Sequence, residues 1–257
     1  MSGSKISLLN VKINNLTMAE ALGQAKEFLA TKKFHHIVTP GPEFLLEASA
    51  NPEFRRILNQ ADLALPDGMG LHVGSRLTGQ RLKSRVPGID FVEQLFSLAE
   101  REKKSVFLFG GAPGTAEKAA RRIILRYPKL KIVGIESGFR GPWQKVHDDR
   151  VVNRIHLAKP DILIVALGFP KQELWIDRHH AALHDVAIVI GVGRTLEYLA
   201  GTIQRAPTVM RKAGLEWLHT YLNAGKYYQG KFRRQRVSNA TAHFLLAVLR
   251  KSKKSHA

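Results

Sequence analysis

The chain has 257 residues, 44% of them hydrophobic, which is enough for one large domain or a domain with an appendage around a sizeable core. It contains no cysteine, which excludes disulfides, cysteine nucleophiles and cysteine-based zinc sites. A formal net charge of +19 points to a polyanionic partner: nucleic acid, anionic lipid or a phosphate-rich substrate.

From the N-terminus, Met1 to Lys5 lack the apolar stretch of a secretory signal. Runs rich in Val, Ile, Leu and Phe predict strands near 6–12, 35–39, 62–65, 105–109, 131–135, 161–167 and 186–190. Between them, apolar spacing predicts helices near 17–31, 43–60, 69–77, 89–103, 115–127, 145–158 and 171–180. In the fifth of these, Ala116, Ala119, Ala120, Ile123, Ile124 and Tyr127 share one face. Such alternation predicts an α/β fold with a mostly parallel sheet covered by helices on both faces. The longest apolar runs, such as Ile162 to Leu167, fall far short of the roughly 18 residues that span a bilayer.

Strand signals stop near residue 195. Pro207 suits the first turn of a helix running through Val209, Met210, Ala213, Leu215, Trp217 and Leu218. Gly225, Gly230 and the basic cluster 231–236 then predict a hinge. The expected organisation is a core over 1–195, a helical extension over 196–225 and a separable basic tail over 226–257. Glu216 is the last acidic residue, and nine Lys or Arg follow it, so the tail carries nine of the nineteen excess charges. Its final element, Ala240 to Leu249, gathers Phe244, Leu245, Val248 and Leu249 on one side. An apolar face framed by Lys and Arg suits an anionic lipid surface. The same pattern also describes a C-terminal helix packed on its own core with a solvated basic end.

Several strands end in loops that could carry chemistry. Leu63-Ala64-Leu65-Pro66-Asp67-Gly68 places Asp67 at the carboxyl end of a buried strand, where open α/β sheets form binding crevices. Asp67 there reads either as a general base or as an ordinary turn or helix-cap residue. In Phe109-Gly110-Gly111-Ala112-Pro113-Gly114, Gly110 and Gly111 let the backbone approach a phosphate at the following helix N-terminus. This is neither a P-loop nor the dinucleotide fingerprint, although Glu136 after the next strand keeps a ribose-binding acid, and hence a nicotinamide oxidoreductase, conceivable. Gly191-Val192-Gly193 is a further strand-end loop, and Gln172 with Glu173 opens a helix directly after another strand. Arg85, before the rigid Val86-Pro87-Gly88, reads as a diphosphate ligand or as a solvated loop arginine. Arg205-Ala206-Pro207 reads as a loop and helix start. No Asp-x-Asp is present, and the pairs His35-His36 and His179-His180 point their side chains apart, so neither a metal nor a cofactor is expected.

Seven ordered segments carry a resemblance: VTPGPEFLLEA from Val38, NQADLALPDGMGL from Asn59, SRVPGIDF from Ser84, FLFGGAPGTAEKAA from Phe107, PDILIVALGFPKQELWI from Pro160, GVGRTLEYLAGTIQRAP from Gly191 and GLEWL from Gly214. Together they resemble the WecG/TagA/CpsF family of glycosyltransferases over roughly residues 5–220. The resemblance implies a Rossmann-like core with a membrane-targeting C-terminal appendage. It also implies inverting, metal-independent transfer of a hexosyl unit from a UDP-sugar to a polyprenyl-diphosphate-linked sugar. The sugar would be of the N-acetylmannosamine type, and the products would feed teichoic acid, capsule or exopolysaccharide assembly. By this similarity Asp67 matches the catalytic base, and Thr39, Arg85 and Gln172 match pocket residues. Gly41, Gly110, Gly111, Glu173, Gly191, Gly193, Arg194 and Glu197 complete the expected substrate site. The chain departs from the family pattern at Gly41 (usually Asn), at Arg194 (usually Gly), at Leu196-Glu197 (usually Phe-Asp) and in the arginine-bearing segment after Leu218. The expected partners are the donor, the lipid-linked acceptor and an anionic membrane surface on the cytoplasmic side, with homo-oligomerisation left open. A non-catalytic binder of the same ligands is the alternative. A nucleic-acid partner has only the net charge in its favour.

Overall fold

In the computed structural model, which describes residues 4–31, 33–138, 145–223 and 232–254, the chain begins with an antiparallel hairpin of β1 (Lys5–Leu8) and β2 (Val11–Asn14). The sequence pattern had suggested one strand here. Leu9 and Asn10 both take positive φ, 48° and 68°, and make the two-residue turn whose twist suits a hairpin.

Six further strands form a single parallel sheet: β3 (His35–Val38), β4 (Leu63–Ala64), β5 (Ser105–Gly110), β6 (Lys131–Glu136), β7 (Ile162–Ala166) and β8 (Ile188–Gly191). Their order is β4-β3-β8-β7-β5-β6. Every residue of β7 and β8 is buried, as expected for parallel strands covered on both faces. β6, at the edge, is mostly accessible.

On one face lie α1 (Met18–Thr31), α5 (Gly88–Arg101), α6 (Thr115–Arg126) and α9 (Thr195–Ala200), packed through Leu29, Phe91, Ala119 and Leu196. The other face holds α2 (Pro42–Ala50), α3 (Pro52–Gln60), α4 (Met69–Leu77), α7 (Lys145–Ala158) and α8 (Lys171–Arg178). There the core divides into a cluster around Phe44, Phe54 and Leu71 and another around Phe109, Ile155 and Trp175. The helix expected over 43–60 is two helices. Pro52 lacks the N–H that a continuous helix needs, and the Asn51 side chain accepts from Phe54 N–H at 3.1 Å to cap the second helix.

The helix expected after Pro207 is likewise divided, into α10 (Thr208–Lys212) and α11 (Glu216–Leu222). Gly214 lies between them with φ of 73°, and a Cβ there would meet Met69 Cε at 2.3 Å. The last element, α12 (Phe232–Lys254), packs on α2 and α4. Ala240, Phe244 and Val248 are buried in the cluster with Phe44 and Leu71, and a Cβ on Gly74 would stand 2.6 Å from the Phe244 ring. Over 240–249 the face expected to seek lipid is therefore turned largely inward. Leu246 and Leu249 remain exposed, and Arg250 and Lys251 follow them at the surface. Of the predicted hinge, Gly225, Gly230 and Lys231 lie outside the described residues, while 232–236 begin α12.

Candidate active site

The crevice forms where the chain leaves two neighbouring strands in opposite directions. After β3 it enters α2, whose Phe44 and Leu45 pack on one face; after β8 it enters α9, whose Leu196 and Leu199 pack on the other. Such a divergence opens a cleft at the carboxyl ends of the strands. Thr39 ties its walls together, its Oγ1 donating to the Gly191 carbonyl at 3.2 Å. The resulting cavity, about 390 Å³, is lined by loops from β3, β4, β7 and β8, by residues of α11 and α12, and by Arg205 and Gly214 on either side of α10.

Asp67 lies on this cavity, three residues beyond β4. Its N–H donates to the Pro40 carbonyl, extending the pairing of β3 and β4 past their ends. Gly88 N–H, at the start of α5, donates to Asp67 Oδ2 at 3.1 Å. The carboxyl remains partly open to the cavity, yet protein mass surrounds it. Burial therefore pushes it up to about 7. The Gly88 bond and the nearby Arg85 oppose that shift, whereas the charges of Glu43 and Glu216 add to it.

Of the other expected site residues, Thr39, Gly41, Arg85, Gln172, Gly193 and Arg194 line the same cavity. Gln172 is fixed from both ends of its amide: Oε1 accepts from Gly193 N–H at 2.8 Å, and Nε2 donates to Glu173 Oε1 at 2.7 Å. Glu173 is fully buried behind it, and burial pushes its carboxyl up to about 8. Gly191 leaves room for this pair, since a Cβ there would fall 2.7 Å from Gln172 Nε2 and 2.8 Å from Glu173 Oε1. Glu173 and Gly191 thus back the cavity without lining it. Glu197 is on α9 between the lining residues Arg194 and Tyr198, but outside the lining itself.

Gly110 and Gly111 are not brought to this cavity. Gly110 has φ of 123°, a Cβ on it would meet the Ala166 carbonyl oxygen at 2.4 Å, and Gly111 N–H donates to that same oxygen at 2.9 Å. Close approach of β5 to β7 accounts for Gly110, whereas Gly111 has φ of 72° and a Cβ there would meet Thr115 Cβ at 2.9 Å. Glu136, which had kept a ribose-binding acid conceivable, is buried and paired with Arg150 and Arg154 of α7. Those two guanidiniums take both of its oxygens, leaving that reading without its acid.

Residues that sequence reasoning passed over also line the cavity: Glu43, Tyr198, Arg205, Glu216, Trp217, Thr220 and Thr241. Arg205 had been read as part of a loop, Trp217 as part of a helix and Glu216 as the last acidic residue, none of them as a site residue. At Gly41 a Cβ would stand 3.1 Å and 3.3 Å from the two Glu43 carboxylate oxygens, so the acid occupies space that a longer residue 41 would enter. Glu216 bridges Arg85 and Arg205, and Arg205 forms a fork with Asp90. Among the described residues no group of three or more His, Asp or Glu is arranged to hold a metal ion.

Comparison with known proteins gives the family of the chain. Three proteins of Staphylococcus aureus, from strains NCTC 8325 / PS 47, COL and MSSA476, are each 33% identical to this chain over 221 residues, 85% of the chain and 85% of their own length. Each bears the name N-acetylglucosaminyldiphosphoundecaprenol N-acetyl-beta-D-mannosaminyltransferase. The model of the glycosyl transferase WecG/TagA/CpsF family matches residues 6–257. With nearly its whole length matched, the chain belongs to the glycosyl transferase WecG/TagA/CpsF family.

Proposed function

We propose that this protein transfers an N-acetylmannosamine-type unit from a UDP-sugar to a polyprenyl-diphosphate-linked sugar, with inversion, without a metal ion, and at the cytoplasmic face of a membrane. The names of the relatives support the acceptor and the transferred unit. The observation that carries the reaction is Asp67, a carboxylate at a strand end beside a cavity, oriented by Gly88 N–H and poised to change protonation near neutrality.

In this reading Asp67 takes the proton of the acceptor hydroxyl through Oδ1 while Gly88 holds Oδ2. The hydroxyl oxygen attacks the anomeric carbon from the side opposite the diphosphate. The bond from that carbon to the diphosphate oxygen breaks, and UDP leaves with the electron pair. Arg85 stabilises the charge that builds there, as a preorganised donor does best in a site shielded from water. A base with pKa near 7 suits this work, since it is substantially ionised at neutral pH and still basic enough to accept the proton.

Exposed apolar side chains beside the cavity support delivery of a lipid-linked acceptor. Val209, Trp217 and Leu222 on α10 and α11 face outward, and Trp217 also lines the cavity. The described helices include none long and apolar enough to cross a membrane.

The test is UDP-sugar consumption on vesicles carrying a polyprenyl-diphosphate-linked sugar, with EDTA present. Wild type should turn over a UDP-N-acetylhexosamine, and Asp67→Asn should lose on the order of 10²–10⁴-fold, the usual contribution of a positioned base. Equal rates for the two proteins would remove Asp67 from the chemistry. A requirement for added metal would contradict the metal-free reading.

A further inference from the structure

The proposed donor brings a diphosphate into this cavity, yet Arg85 is already engaged. Its Nη1 donates to Glu216 Oε2 at 3.2 Å, and its Nη2 donates to the Arg211 carbonyl at 2.7 Å. The other oxygen of the same carboxylate, Glu216 Oε1, accepts from Arg205 Nε at 3.2 Å. Arg205 is held from its far edge by Asp90, with Nη1 to Oδ1 at 2.5 Å and Nη2 to Oδ2 at 2.9 Å. One carboxylate thus spans two guanidiniums, and all three groups line the cavity.

The distances rank these contacts. Charge-assisted N–H···O bonds normally fall near 2.7–2.9 Å. Both bonds to Glu216 exceed that, while the Arg205–Asp90 fork and the Arg85–Arg211 bond do not. Each arginine therefore has one short anchor that does not involve Glu216, and one longer bond that does. Removing the Glu216 carboxylate from between them would leave both guanidiniums in place, each with a free donor edge toward the cavity. The Glu216 side chain is 27% exposed, so it has somewhere to go.

We propose that Arg85 and Arg205 together form the seat for the donor diphosphate, and that Glu216 is an exchangeable carboxylate filling that seat until the diphosphate displaces it. This rests on the nucleotide-sugar reading above and adds to it a second phosphate-binding residue, Arg205, and a competitor built into the chain. A diphosphate offers two adjacent anionic groups where Glu216 offers one, so it matches two guanidiniums better. Asp90 is a positioning residue that keeps the Nε edge of Arg205 turned to the site.

Calorimetric titration of wild type, Glu216→Gln, Asp90→Asn and Arg205→Lys with inorganic pyrophosphate and with UDP, in EDTA, tests this. Glu216→Gln keeps the shape and removes the competing charge, so it should bind both probes several-fold more tightly. Arg205→Lys keeps the charge but loses the planar donor edge, and should bind both about tenfold more weakly. Asp90→Asn should weaken binding in the same direction to a smaller extent. Equal or weaker binding by Glu216→Gln, with its melting temperature unchanged, would make Glu216 a structural brace and overturn the proposal. Unchanged affinity in Arg205→Lys would overturn it independently. UDP binding that none of the variants alters would leave the donor reading standing and remove the two-arginine seat. Pyrophosphate binding in the predicted order, with UDP binding no tighter, would keep the seat and count against a nucleotide donor. Failure of wild type to bind either probe would overturn both.

Discussion

Asp67 links the fold to the proposed chemistry through one physical quantity, the cost of keeping a charge among protein atoms. Burial outweighs the hydrogen bond from Gly88 and the attraction of Arg85, so the carboxyl titrates near 7 in the folded chain and near 3.8 when unfolded. The folded state therefore holds a proton that the unfolded state has released between those two values, and stability falls as pH rises from about 4 to about 7. Above that range the penalty is constant. Asp67→Asn should accordingly be more stable than wild type at pH 8, by on the order of 1–2 kcal/mol once access of water through the cavity is allowed for, and no more stable at pH 4. Thermal melts at the two pH values check this, and a gain of equal size at both would detach it from ionisation. Transfer by wild type should rise through pH 7 as the base form appears.

Two glycines separate backbone constraint from pocket shape. Gly110 has positive φ, and a Cβ there would meet a backbone carbonyl that cannot yield; Gly41 is extended, and a Cβ would meet only the flexible end of Glu43. Gly110→Ala should cost at least ~2 kcal/mol and Gly41→Ala under ~1 kcal/mol, measured by denaturant unfolding. If the two changes cost the same, the close approach of β5 and β7 is not what requires a glycine at position 110.

At the scale of elements, the strands of the parallel sheet were legible because most are short apolar runs bounded by turn residues, fully buried in the middle of the sheet at β7 and β8 and mostly accessible at the edge strand β6. Asp67, Thr39 and Gln172 could be placed at strand ends for the same reason. The hairpin turn was not legible, because Leu9-Asn10 lacks the glycine that usually marks such a turn. Helix breaks at Asn51-Pro52 and Gly214 were overrun by an apolar periodicity that continues across them. Glu43, Glu216 and Thr241 escaped notice because they reach the cavity by tertiary packing from three separate elements, and no local spacing encodes that. The C-terminal helix shows the ambiguity most plainly, since an apolar stripe flanked by charge describes a core-facing helix as well as a lipid-facing one. Phe244 settles which face is which: it is fully buried against α2 and α4. Phe244→Ala should cost about 3–5 kcal/mol and loosen α12 first, seen as faster hydrogen exchange along Ala240–Leu249 than in β7. Uniform acceleration throughout the chain would mean that the helix and the sheet open together.

For the whole molecule, the net charge of +19 and the position of α12 must be read together. With Ala240, Phe244 and Val248 facing the core, any lipid contact by the described side chains of α12 would fall to exposed groups such as Leu246, Leu249, Arg250 and Lys251. On the neighbouring α10 and α11, Val209, Trp217 and Leu222 are exposed as well. An anionic bilayer touching these groups would lie beside the cavity, since Thr241 of α12 and Trp217 of α11 both line it. Deleting 226–257 is then a poor test of membrane binding, because it strips Phe244 and Val248 from the core and Thr241 from the site. Charge reversal at the surface is cleaner. Lys251 bonds Asn10, but in an exposed setting where such a contact adds little to stability. A basic residue near an anionic surface contributes ~1 kcal/mol, so Arg250→Glu with Lys251→Glu should weaken binding to phosphatidylglycerol vesicles at least about tenfold at low salt. The melting temperature should hardly move. Undiminished binding by a folded double variant would transfer the membrane contact from the charged end of α12 to the apolar side chains of α10 and α11.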